Sequence, residues 1–80
     1  MTDQELLNRI ATNPQVMVGK PVIRGTRLTV AYILNLLAHG ATESEILAEY
    51  EGVTAADIRA CLLFAARSLE SASFMPMEIA

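Results

Sequence analysis

Two short phrases, Thr-Glu-Ser-Glu at 42–45 and Thr-Ala-Ala-Asp at 54–57, constrain the fold more than anything else in the sequence. A threonine followed three residues later by an acid is a capping box, in which the hydroxyl takes one free amide and the acid reaches back to another. Each phrase therefore starts a helix. The helix opened at Thr42 must finish before Thr54, and Glu51-Gly52-Val53 supplies the turn. Ile46, Leu47 and Tyr50 give that helix an apolar side, and the next one runs from Thr54 to about residue 70. Upstream, Thr29 caps a helix whose Val30, Ile33, Leu34 and Leu37 follow the i, i+3, i+4, i+7 spacing, and Gly40 stops it. Three helices with short connections predict a mainly α domain. The tight turn between the second and third is a helix-turn-helix.

The residues before 29 read differently. Residues 3–11 predict a short helix with Leu6, Leu7 and Ile10 on one side, and Asn13 before Pro14 is its stop. Gln15–Val18 and Pro21–Ile23 are strand-like and joined by Gly19-Lys20, which predicts a short N-terminal β-hairpin. Pro21 belongs on an edge or at a strand start. The expected layout is one domain over 1–80: a hairpin arm at 13–28, a three-helix core at 29–70, and an apolar tail at 71–80.

Composition bears on partners. The chain has 80 residues, 52% of them hydrophobic and 19% charged, with a mean hydropathy of +0.35. A domain this small buries only roughly 60% of its unfolded surface. Some apolar surface is left for a second chain, and a homodimer is expected. The third helix shows the surplus: Ile58, Cys61, Leu62, Ala65 and Leu69 make one stripe, while Ala60, Leu63, Phe64 and Ala66 fall outside it. Leu63 and Phe64 either pack under the hairpin or face a partner. With Arg67 and the tail residues Phe74, Met75 and Met77 they are the candidate partner interface.

Several classes are disfavoured. The longest apolar run, Ala60 to Ala66, is far shorter than the ~20 residues of a spanning helix. No leader pattern opens the chain, so a cytoplasmic protein with no membrane contact is expected. A single cysteine forms neither a disulfide framework nor a zinc cluster, and Cys61 reads as a small buried apolar residue. His39 reads as a helix-end cap. No constellation for acid–base, nucleophilic or metal chemistry appears, so neither an enzyme nor a cofactor is expected.

Charge is unevenly distributed. The net charge is −3, but residues 1–40 carry +2 and residues 41–80 carry −5. A polyanion would dock on the basic part. Lys20, Arg24 and Arg27 are candidate phosphate contacts, with Thr54 and Arg59 at the start of the third helix. The competing expectation is that Arg24 or Arg27 pairs with Glu43, Glu45 or Glu49. Asp57 reads as a cap and not as a base contact.

The string Gly-Lys-Pro-Val-Ile-Arg-Gly-Thr-Arg-Leu-Thr-Val at 19–30 is followed by His-Gly at 39–40. Ala-Thr-Glu-Ser-Glu-Ile-Leu-Ala-Glu-Tyr follows at 41–50, and Val-Thr-Ala-Ala-Asp-Ile-Arg at 53–59. Together these resemble the domain-of-unknown-function 433 family over about residues 13–66. The resemblance implies a homeodomain-like three-helix fold behind a β-hairpin. It also implies an antitoxin of the VapB kind, which binds operator DNA as an autoregulator and neutralises a PIN-like RNase toxin. A dimeric adaptor on the same scaffold, without DNA binding, is the alternative. In one respect the chain departs from the family: Glu51 follows Tyr50 where proline is usual, which adds a negative charge near the side that would face DNA.

Overall fold

The computed structural model describes residues 1–12, 15 and 19–71. Its elements are α1 (Asp3–Leu7), β1 (Ile10–Ala11), β2 (Val22–Ile23), α2 (Val30–Ala38), α3 (Glu43–Glu49) and α4 (Ala55–Ser71). The fold is mainly helical, with a two-stranded antiparallel sheet ahead of α2. Both capping boxes that define the helix-turn-helix form as expected. Thr42 and Glu45 exchange hydrogen bonds of 2.8 and 3.1 Å. Thr54 and Asp57 exchange bonds of 2.9 and 3.2 Å. A third box, Thr2 with Glu5, starts α1.

The N-terminal region departs from expectation at two points. The first helix ends at Leu7 instead of continuing to residue 11, and β-branched Ile10 enters a strand. Ile10 faces Ile23 and Ala11 faces Val22, so the partner of β2 comes from before residue 12. The strand expected over 15–18 lies, apart from Gln15, outside the described residues. The segment after α1 is tied to β2 instead: the Arg24 amide donates to the Arg9 carbonyl at 2.7 Å and the Arg24 Nε to the Asn8 carbonyl at 2.8 Å, which satisfies both acceptors outside a helix.

On its other side β2 is held by the chain entering α2. The Ile23 amide donates to the Leu28 carbonyl and the Val30 amide to the Pro21 carbonyl, both at 2.9 Å. Pro21 thus stands at the strand start, as a residue without an amide hydrogen must. The reversal between them places Gly25 at φ 84°, and Thr26 closes it through its hydroxyl to the Ile23 carbonyl at 2.8 Å.

Helix α2 ends in a Schellman motif. The Gly40 amide bonds the Leu37 carbonyl and the Ala41 amide bonds the Leu36 carbonyl, with Gly40 at φ 98°. His39 caps as expected, its Nδ1 lying 2.7 Å from the Asn35 carbonyl. The core draws a fully buried isoleucine from each of four elements: Ile23 of β2, Ile33 of α2, Ile46 of α3 and Ile58 of α4. Cys61 completes it.

On α4 the inward face is rotated from the expected stripe. Asp57, Ala60 and Cys61 are buried and Phe64 packs against the core, whereas Leu62 and Leu69 are 49% and 61% exposed. No helix among the described residues is long and apolar enough to cross a membrane.

Candidate functional site

The start of α4, where a helix-turn-helix protein would meet nucleic acid, is bordered by the N-terminal segment, which holds Asp57 through Arg9. Asp57 is 6% exposed. One carboxylate oxygen accepts from the Thr54 amide, and the other accepts from an Arg9 guanidinium nitrogen at 3.0 Å. The same Arg9 nitrogen reaches the Thr54 hydroxyl at 3.5 Å. Arg24 lies along the opposite rim and uses its guanidinium on the Asn8 and Ile10 carbonyls. These groups, with Glu5 and Gly52, line an open cleft of ≈ 430 Å³. Two cations and two carboxylates share it, so the cleft has no net charge to attract a polyanion.

The structure therefore divides the predicted phosphate contacts. Arg24 and Thr54 meet in this cleft and are tied to backbone or to Arg9. The competing expectation, that Arg24 pairs with an acid of α3, is not met: its acceptors are the Asn8 and Ile10 carbonyls. Lys20 and Arg27 flank β2, and Arg59 lies on the outward face of α4. All three are exposed and form no side-chain hydrogen bond or ion pair among the described residues. Arg27 borders a ≈ 240 Å³ depression with Leu28, Thr29 and Tyr32. The acids Glu43, Glu45, Glu49 and Glu51 are exposed around α3 and the following turn.

The candidate partner residues are also divided. Phe64 and Leu63 are half-buried, and Phe64 borders a ≈ 220 Å³ apolar groove with Pro21, Val30, Ala31 and Leu34. Arg67 pairs with Asp3 of α1 and lies 3.8 Å from Glu70. Phe74, Met75 and Met77 lie outside the described residues.

Two features escaped the sequence reading. Tyr32 and Tyr50 meet edge to face at 5.8 Å between ring centres, with their hydroxyls hydrogen-bonded. That bond, with some burial, raises the Tyr50 hydroxyl above its usual range. The second is the clamp of Arg9 on Asp57, across 48 positions of sequence. For the first, the only sequence signal is an aromatic near each end of the α2–α3 hairpin. For the second there was a stronger one: a helix-capping acid with a second oxygen to satisfy.

Burial, and secondarily the Asp57 charge, push the Cys61 thiol up to about 11. No cluster of three His, Cys, Asp or Glu groups able to hold a metal exists among the described residues.

Comparison with known proteins decides the lineage. The family described as "Protein of unknown function (DUF433)" matches residues 10–65. The chain belongs to this family. A solved structure described as a DUF433 member protein from Anabaena variabilis ATCC 29413 superposes on the DUF433 chain with a TM-score of 0.75 at 36% identity. The match covers 84% of this chain and 66% of that one. No curated protein matches it.

Proposed function

We propose that this DUF433 protein is a regulator of the antitoxin kind, contacting operator DNA through its N-terminal arm and neutralising a PIN-like RNase toxin. The supporting observation is the disposition of its cations. Of the six Lys and Arg residues, Arg9, Arg24 and Arg67 are used internally, while Lys20 and Arg27, on either side of β2, have no side-chain partner among the described residues. Phosphate contacts position a domain without reading sequence, which is what such an arm supplies. The toxin half rests on the likeness of the 19–59 motifs to VapB-type antitoxins.

The test is an anisotropy titration of the protein's own upstream duplex at stepped salt. Two phosphate contacts per protomer give a slope of log K against log salt of about −1.8, and Lys20→Ala or Arg27→Ala lowers it by about 0.9. Absence of binding at low salt excludes the DNA role. A second reading, an adaptor that binds no DNA, is favoured by one observation. Glu43, Glu45 and Glu49 occupy α3, the helix that crosses the phosphate backbone in a helix-turn-helix complex, and would repel it.

A further inference from the structure

The outward face of α4 repeats with a period its core function does not require. Arg59, Leu62, Ala66 and Leu69 are spaced three, four and three residues apart, the a/d spacing of a coiled-coil seam. All four are exposed, the two leucines at 49% and 61%. At 100° per residue they occupy one arc, and Glu70 lies on the same arc. The opposite arc (Asp57, Ala60, Cys61 and Phe64) is the one that meets α2, α3 and the sheet.

We infer that this face docks a second copy of the chain, α4 against α4 in antiparallel orientation, crossing near Ala66. The stripe is self-complementary in charge, with Arg59 at one end and Glu70 at the other. Antiparallel pairing brings Arg59 of each copy toward Glu70 of the other, with axial positions within about one helical turn. Parallel pairing would instead stack Arg59 on Arg59. Ala66 at the crossing lets the backbones approach, and Leu62 of one copy then packs beside Leu69 of the other, covering the two large apolar side chains of α4 that the core leaves exposed. The seam uses neither Lys20 nor Arg27, so it stands whether or not DNA is bound. It also relocates the dimer contact from Leu63 and Phe64, which the fold half-buries, to Leu62, Ala66 and Leu69.

Sedimentation equilibrium over a concentration series is the primary test. The wild-type chain should show a reversible dimer, and Leu69→Glu should weaken it by about 10-fold or more, since a charge would enter the seam. Helical circular dichroism confirms folding, as Leu69 contacts no core. Arg59→Glu should weaken the dimer, and Arg59→Glu with Glu70→Arg should restore it. Those two residues are about 16 Å apart within one helix and can pair only between copies. Ala66→Cys should cross-link to itself under mild oxidation. A wild-type chain monomeric at the highest concentration overturns the inference. So does a Leu69→Glu chain with unchanged association, or failure of the charge exchange to rescue.

Discussion

Asp57 is the residue on which most of the N-terminal architecture converges. It closes the cap of α4 with one oxygen and takes Arg9 with the other, at 6% exposure. Asp57→Ala removes a cap worth about 1 kcal/mol and a charge-assisted bond worth about 1.5 kcal/mol or more. The expected loss is about 2–3 kcal/mol, read as a lower urea midpoint. Asp3→Asn, which breaks the exposed pair with Arg67, should cost well under about 1 kcal/mol by the same assay. Titration supplies a second prediction at this scale. Cys61 is pushed up to about 11 in the fold and Tyr50 is also raised, so both are held neutral more firmly than in the unfolded chain. A raised folded value means stability is intact below the ordinary thiol range and falls as pH climbs through it. Urea midpoints should be level from pH 7 to 8 and drop above pH 9, and Cys61→Ala should reduce that drop.

At the level of elements, what could be read from the sequence follows from how local the signal is. Thr42 with Glu45 and Thr54 with Asp57 act across three residues, so the type and start of α3 and α4 were visible before any tertiary contact was considered. The C-terminus of α2 was equally local, because Gly40 adopts φ 98° to close the Schellman bonds. Nothing lies within 4 Å of a Cβ placed there, so Gly40→Ala isolates the backbone term. It should cost about 1 kcal/mol, measured by thermal unfolding, with no change in dimerisation. The strand pairing was not local. Ile10 and Ala11 meet β2 across more than ten residues, and no pattern in 3–11 marks where helix gives way to strand. The rotation of α4 was hidden for a related reason. Leu62 and Leu69 are as apolar as Ile58, and only the presence of neighbours on the Ala60 and Phe64 side decides which arc is covered. In the candidate site, the clustering of Lys20, Arg24 and Arg27 was readable, but the expected pairing of Arg27 with an acid of α3 does not form among the described residues. The fate of Arg24 was not readable, because a backbone carbonyl 16 positions away leaves no mark in a residue code.

Across the whole molecule, the N-terminal segment works as a strap over α4. Asp3 meets Arg67 near one end of that helix and Arg9 meets Asp57 at the other, so residues 3–9 run antiparallel along it. Leu6 contributes a partly buried side chain beneath, and Arg24 ties the far end of the strap through the Asn8 and Ile10 carbonyls. The consequence is that half of the chain's six cations are committed to holding the strap, and an overall charge of −3 misrepresents what is free to meet a polyanion. Stability and binding should therefore separate by residue. Arg24→Ala loses an exposed bond to the Asn8 carbonyl and a longer, part-buried one to the Ile10 carbonyl, and should lower stability by about 1 kcal/mol, near 5 °C in Tm for a chain this size. If Arg24 serves the strap alone, the salt slope of DNA binding in that variant stays at the wild-type value once the fraction folded is corrected. Lys20→Ala and Arg27→Ala should do the reverse, leaving stability within about 0.5 kcal/mol of wild type while lowering the slope. A drop in slope for Arg24→Ala equal to that for Arg27→Ala would mean the guanidinium's remaining donors reach phosphate, and the division of cations drawn from the structure would have to be redrawn.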